Sequence, residues 1–219
     1  MFNVGFIVSG KGDNIVLKHL IEKASVLEIS LHIFCYENDC TGIQIGKEKN
    51  IPFTIVDKGK NNKELSANLF AKVQAFQPGV VFLLFNRLLT SEFLDKALFP
   101  VVNIHPSLLP SFTGFKAIDQ AIEFGTKVMG VTAHLVDSSV DQGPVIIQSV
   151  IPVTDKMHSY SDVKPIISQH YILIATQVLC WFKDKKVELA GRKIKVINAE
   201  YKLSYFYPNI EAGIENLCL

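Results

Sequence analysis

Residues 1–20 read MFNVGFIVSGKGDNIVLKHL and set the pattern for the rest of the chain. The nearly continuous apolar run Val4 to Val8 is typical of a strand that is buried on both faces. It stops at the glycine loop Ser9 to Gly12, after which apolar residues recur at helical spacing from Ile15 to Leu20. Asp13 or Asn14 stands where a helix N-cap belongs. The stretch therefore predicts a strand, a tight glycine loop and a helix.

The same alternation continues along the chain. The patterns predict strands at 26–36, 51–56, 80–85 and 101–103, and helices at 41–49, 63–76, 115–124 and 160–183. Two more strands, 131–136 and 145–153, stand at hairpin-like spacing. We therefore predict an α/β, Rossmann-like fold: a mostly parallel twisted sheet with helices on both faces, and an antiparallel strand or hairpin in the C-terminal half. We predict that residues 1–190 form one domain and that residues 191–219 are a tail packed on it.

Composition excludes several classes of protein. With 219 residues, 48% of them hydrophobic and 20% charged, the chain has the composition of a globular protein and not that of a fibre or a disordered arm. The formal net charge of +1 provides no field that would attract nucleic acid or an anionic membrane, so we expect neither partner.

The N-terminus has no basic leader, and no apolar run approaches the ~20 residues of a membrane span, which predicts a cytoplasmic protein. The four cysteines are too few for a disulfide scaffold, and the six histidines lack HExxH or HxxxH spacing, so we expect no metal.

The segment Asn103-Ile104-His105-Pro106 is the first candidate for catalysis. Because side chains alternate along an extended segment, Asn103 and His105 are predicted to point the same way, and Pro106 fixes the backbone after the histidine. An amide N–H and an imidazolium can both donate hydrogen bonds to a carbonyl oxygen that gains negative charge. The alternative is that His105 is a structural or surface residue at a strand end.

Two further segments carry candidate residues. The polar turn 136–144 contains Asp137 and Asp141, and one of these carboxylates could orient His105 and keep it charged; alternatively, both simply cap the turn. The glycine loop could hold an anion on its amides, or it could only make the tight turn. Asp13 weakens the first interpretation, because a carboxylate at the helix start would repel a phosphate.

These motifs together resemble a known family. Asn103 to Pro110, followed by Gly114 and by Asp141-Gln142-Gly143-Pro144, is similar to the formyltransferases that use 10-formyltetrahydrofolate, and the loop Ser9 to Asn14 matches their N-terminal loop. The similarity runs from residue 1 to about residue 185 and is greatest to the branch that formylates glycinamide ribonucleotide. Several motifs match in the same order, which makes the resemblance more specific than any one of them.

The resemblance implies a site and two small-molecule partners, the folate co-substrate and an amine acceptor, in a monomer or homodimer. Asn103 and protonated His105 would stabilise the oxyanion, while Asp141 would keep His105 charged and help to move a proton. The folate site would comprise Asn86, Arg87, Leu88, Leu89, Val136 and Val140. The acceptor site would comprise Gly12, Asp13, Asn14, Asn62, Lys116 and Gln169.

Two alternatives to glycinamide ribonucleotide formylation stay open. Asp13 replaces a small hydroxyl of the family's phosphate loop, Asn62 stands near an expected basic contact, and Lys116 stands where a histidine is common. Gln169 stands in place of a glutamate that binds the ribose. Because of these departures, an amino sugar or sugar nucleotide is the alternative acceptor. The second alternative is formyltetrahydrofolate hydrolase, whose sequence is somewhat similar at 114–116. Those hydrolases carry an N-terminal regulatory domain, whereas here the catalytic-domain strand is predicted to begin at residue 2.

Overall fold

A computed structural model describes residues 1–202 and 204–218. The strands are β1 (Phe2–Val8), β2 (Ile29–Cys35), β3 (Phe53–Ile55), β4 (Val80–Leu84), β5 (Val101–His105), β6 (Val128–Leu135), β7 (Val145–Pro152), β8 (Val187–Ala190), β9 (Lys193–Val196) and β10 (Phe206–Tyr207). The helices are α1 (Ile15–Glu22), α2 (Ala24–Leu27), α3 (Thr41–Lys49), α4 (Asn62–Phe76), α5 (Ser91–Leu94), α6 (Ala117–Phe124), α7 (Tyr160–Lys183) and α8 (Ile214–Cys218). The chain divides into two compact units, of which the first comprises 1–103 and 136–138 and the second comprises 104–135 and the residues from 139 onward.

The first unit is built on parallel strands in the order β5-β4-β1-β2-β3. Its strands are apolar on both faces, as the buried run Val4 to Val8 shows. Helix α4 places Leu65, Leu69 and Val73 four residues apart, and these side chains pack in one cluster with Ile7 and other strand residues. Burial of this cluster orders the strand ends and the loops that follow them.

The second unit is antiparallel. Strand β6 pairs with β7 from Val128 opposite Pro152 to His134 opposite Val145, and β10 pairs with the other edge of β7. The register shifts between Ala133 and His134, which places one extra residue on β7. Helix α7 packs on β6 and β7, and its Trp181 is fully buried. Strands β8 and β9 form a separate hairpin.

The predicted fold class is confirmed. Helices α3 and α7 begin and end at the predicted residues, and the two strands predicted at hairpin-like spacing pair as β6 and β7. The prediction of a strand from residue 26 is wrong, because residues 24–27 form α2, Glu28 has a left-handed backbone and β2 begins at Ile29. Val26 is 66% exposed, so its β-branched side chain does not take part in the sheet. Beyond Gly191, which was predicted only as a tail, the chain forms β9, β10 and α8.

Two properties of the described residues bear on where such a chain could act. Within 1–202 and 204–218, no helix has an apolar stretch long enough to cross a bilayer. The four cysteines, Cys35, Cys40, Cys180 and Cys218, are free thiols.

Candidate active site

His105 ends strand β5, and its side chain is only 6% exposed. Its Nδ1 lies 3.5 Å from Asp141 Oδ2, so the two residues singled out in the sequence meet within the second unit. Its Nε2 lies 2.8 Å from the Phe112 carbonyl oxygen. Because a carbonyl oxygen only accepts, Nε2 is the donor in this bond. Both ring nitrogens therefore face oxygen atoms that can accept hydrogen bonds.

Asp141 stands in the turn between β6 and β7, and its carboxylate faces three hydrogen-bond donors. The Gly114 N–H donates to its Oδ2 at 2.7 Å, His105 faces the same oxygen, and His134 Nε2 lies 3.7 Å from Oδ1. The hydrogen bond with His134, the Gly114 N–H and the charge of His105 outweigh the burial of the carboxyl and lower the pKa of Asp141 to about 2. Asp141 itself has φ of 51°, a left-handed conformation that aspartate tolerates better than most residues. The site thus holds an ionised carboxylate against a histidine.

His134 is a site residue that the sequence analysis did not identify. Its side chain is 2% exposed on β6, its Nδ1 lies 3.0 Å from the Leu135 carbonyl oxygen, and its Nε2 faces Asp141. The shift in register between Ala133 and His134 occurs at this position, and such bulges often redirect a side chain beside an active site. The signal in the sequence was the pair of polar residues Thr132 and His134 at alternate positions of an otherwise apolar strand.

Thr132 fixes the loop that follows His105. Its hydroxyl donates to the Ser107 carbonyl oxygen at 2.6 Å and accepts from the Leu109 N–H at 3.2 Å. Gln148 Nε2 donates to the Leu109 carbonyl oxygen and to the Thr132 hydroxyl oxygen, each at 3.0 Å. Buried, satisfied networks of this kind hold a backbone in one conformation. The loop beyond the histidine is therefore tied to β6 and β7.

Asn103 lies on β5 two residues before His105, half-buried, and opposite Leu83 in the parallel register of the first unit. The catalytic role of Asn103 stays a prediction.

The glycine loop in the first unit is surrounded by carboxylates. The Gly10 N–H donates to Glu37 Oε2 at 2.7 Å, Lys11 pairs with Asp39 at 2.9 Å, and Lys18 pairs with Asp13 at 3.0 Å. The Gly10 N–H therefore already donates to a carboxylate of the same chain, whereas the anion-binding hypothesis required this N–H to be available for a bound anion. Asn14 is the N-cap residue of α1 but makes no side-chain cap; its amide donates instead to the Gly12 carbonyl oxygen.

The predicted folate residues of the first unit surround Tyr36. The Asn86 side-chain oxygen accepts from Ser9 Oγ at 2.8 Å and from the Tyr36 hydroxyl at 3.1 Å, while the Arg87 guanidinium lies 5.5 Å from the centre of the Tyr36 ring. Leu88 is exposed, whereas Leu89 is buried in the core cluster, against which Val136 also packs. Their roles toward folate stay predictions.

The remaining predicted residues are placed as follows. Asn62 is the first residue of α4 and is half-buried, Lys116 is the N-cap residue of α6 with φ of 58°, and Val140 and Gln169 are exposed in the second unit. Their predicted roles in binding stay open. Within the part of the chain that the structure describes, no three metal-ligating side chains are grouped so that they could hold an ion.

The pKa of Asp141 predicts an acid dependence of stability. An unfolded aspartate titrates near ~4, whereas in the folded chain the pKa of Asp141 is lowered to about 2. The stabilisation is therefore complete above about pH 4 and is lost as the pH falls through about 2. We expect the free energy of unfolding to fall more steeply below pH 4 in the native chain than in Asp141→Asn, as measured by denaturant titration at several pH values. Parallel curves for the two proteins would contradict the assignment.

The chain is similar to known proteins in both sequence and structure. A family model described as formyl transferase matches residues 2–171. A phosphoribosylglycinamide formyltransferase of Escherichia coli is 28% identical over 193 residues, which cover 85% of this chain and 90% of that protein. A formyltetrahydrofolate deformylase of the same species is 39% identical over 114 residues; the match covers 51% of this chain and only 40% of the deformylase. The crystal structure of a glycinamide ribonucleotide transformylase from Symbiobacterium toebii superposes with a TM-score of 0.81 at 27% identity, covering 90% of this chain and 95% of that one.

Proposed function

Because this chain belongs to the formyl transferase family, we propose that it transfers a formyl group from 10-formyltetrahydrofolate to a primary amine. The observation that carries the proposal is the buried pair of His105 and Asp141, with Nδ1 and Oδ2 3.5 Å apart. An imidazolium held by an ionised carboxylate can donate to a carbonyl oxygen that becomes negatively charged. The reaction needs such a donor because its intermediate carries an oxyanion.

The proposed chemistry proceeds in two steps. The amine nitrogen attacks the formyl carbon, and the carbonyl electrons move to the oxygen, which accepts hydrogen bonds from His105 and Asn103. The bond between the formyl carbon and N10 then breaks, and the proton lost by the attacking nitrogen reaches N10, so that the products are the formamide and tetrahydrofolate. In the structure His105 Nε2 donates to the Phe112 carbonyl oxygen at 2.8 Å. The formyl oxygen would take the place of this backbone oxygen.

Glycinamide ribonucleotide is the first acceptor that we propose. The supporting fact is coverage, since the formyltransferase relative matches along 90% of its own length. An amino sugar or sugar nucleotide is the second candidate, favoured by Glu37, which holds the Gly10 N–H at 2.7 Å where a phosphate would need that amide. Water is the third candidate acceptor, because 114 residues of this chain are 39% identical to a formyltetrahydrofolate deformylase.

A single assay separates these reactions. Release of tetrahydrofolate from 10-formyltetrahydrofolate is followed by absorbance with glycinamide ribonucleotide, with an amino sugar nucleotide and with no acceptor. We expect release that depends on an amine acceptor. Release that is equally fast without an acceptor, with formate as the second product, would replace transfer by hydrolysis. The Glu37→Gln variant tests the second candidate: if Glu37 excludes phosphate, this variant should lower KM for glycinamide ribonucleotide.

A further inference from the structure

A cavity of about 620 Å³ adjoins Asp141 in the second unit. One wall is the loop from Asp141 to Val145, and a second wall is formed by Leu109, Pro110 and Thr113. The third wall is the tip of the β8–β9 hairpin, Arg192 to Ile194. The cavity therefore brings the far end of the chain to the loop that carries the candidate catalytic carboxylate.

The hairpin tip is fixed against that loop. Ala190 pairs with Lys193, which leaves Gly191 and Arg192 as a two-residue turn, and Gly191 supplies the positive φ, 61°, that such a turn requires. The Arg192 guanidinium donates to the Gln142 carbonyl oxygen, next to Asp141 in the sequence. One hydrogen bond thus fixes the position of the guanidinium and leaves further N–H groups that can donate to a ligand.

The hairpin tip carries two cations, Arg192 and Lys193. Among the described residues, neither Arg192 nor Lys193 forms an ion pair, and both are exposed at the cavity rim. The other lysines among the described residues from 186 onward are paired: Lys186 with Glu211 at 2.6 Å, Lys195 with Glu188 at 3.6 Å and Lys202 with Glu200 at 2.7 Å. Among the described residues from 186 onward, the positive charge without an ionic partner therefore belongs to Arg192 and Lys193, which line the cavity.

We propose that Arg192 and Lys193 form a subsite for an anionic group of one of the two substrates. This inference rests on the proposed function. A guanidinium binds a carboxylate or a phosphate through paired N–H groups, and a neighbouring ammonium adds charge. The apolar walls, which include Leu109, Val145 and Ile194, can cover the uncharged part of the same molecule. The anion is either a glutamyl carboxylate of the folate or a phosphate of the acceptor.

The test uses the full chain and the double variant Arg192→Ala with Lys193→Ala. The control is Lys195→Ala, which removes an exposed lysine of the same strand that pairs with Glu188 and does not line the cavity. Calorimetry measures binding of 5-formyltetrahydrofolate carrying one or three glutamates, and steady-state kinetics measures KM and kcat for the acceptor. If the anion belongs to the folate, Kd for the triglutamate rises about tenfold in the double variant.

If the anion belongs to the acceptor, folate binding stays unchanged, and KM for the acceptor rises about tenfold with little change in kcat. The Lys195→Ala control should match the native chain in every measurement. Unchanged Kd and KM in the double variant, beside an active native chain, would overturn the subsite alone. A native chain that neither binds the folate nor releases tetrahydrofolate would overturn the proposed function and the subsite with it.

Discussion

Replacing Asp141 with asparagine is expected to lower kcat for formyl transfer by about 10³-fold while the chain stays folded. Among the described residues of the second unit, the carboxylate that pairs with His105 is that of Asp141, at 3.5 Å. In the variant, His105 Nδ1 faces a neutral amide in place of a negatively charged carboxylate. The stabilisation of the oxyanion would then lose its charged donor. The measurement is kcat with the acceptor identified by the release assay.

The geometry explains why this variant should fold. Asparagine accepts a left-handed backbone as well as aspartate does, so φ of 51° at residue 141 adds no strain. If the amide oxygen faces the Gly114 N–H, the amide nitrogen faces His134 Nε2. A neutral His134 can accept that bond while its Nδ1–H donates to the Leu135 carbonyl oxygen. Each hydrogen-bonding group keeps a partner, although the bond between residue 141 and His134 reverses its direction, and the side chain of residue 141 loses its negative charge.

The matched control is Asp137→Asn, which removes the other carboxylate of the same turn. It should retain activity within a few-fold, because the carboxylate that pairs with His105 at 3.5 Å is that of Asp141. Binding of 5-formyltetrahydrofolate to Asp141→Asn should be nearly unchanged, which separates loss of chemistry from loss of folding. Normal turnover of Asp141→Asn, or a loss of activity confined to Asp137→Asn, would refute the assignment of the carboxylate.

The parts of the site that could be predicted are those written in local sequence. His105 follows a short apolar strand and precedes a proline, so its place at a strand end is visible without a structure. Asp141 stands in a polar turn between two apolar strands, which limited the partner of His105 to two carboxylates. The choice between Asp137 and Asp141 required the three-dimensional path of the turn, because an irregular turn has no fixed side-chain period that shows which carboxylate faces His105.

The parts that could not be predicted depend on contacts between distant segments. His134 looks like any polar residue in a buried strand until the register shift at Ala133 and the position of Asp141 are known. Glu37 precedes α3 without a motif, yet its carboxylate binds the Gly10 N–H. The charge of Arg192 is unremarkable in the sequence, and its importance appears only when the hairpin places it beside Gln142. Local sequence patterns carry no information about such contacts between distant segments.

Replacing Gly143 with alanine is expected to lower the free energy of unfolding by about 3 kcal/mol or more and to abolish activity. A Cβ added at this position would lie 1.8 Å from the Leu135 carbonyl oxygen, and Gly143 is buried. A backbone carbonyl cannot rotate away as the end of a long side chain can, so the turn itself must move. Asp141 stands two residues earlier in that turn, and its bonds to Gly114 and to the histidines depend on the present path of the backbone.

Gly12→Ala is the control for this prediction, because no atom lies within 4 Å of the Cβ it would add. Denaturant titration of both variants should show a large loss of stability for Gly143→Ala and almost none for Gly12→Ala. A stable Gly143→Ala protein with full activity would mean that the turn accommodates the methyl group without moving Asp141. The stable variant would then show that the close approach of Gly143 to Leu135 is not what fixes the carboxylate. In that case the interactions of Asp141 with the Gly114 N–H and with His134 would hold the carboxylate against His105.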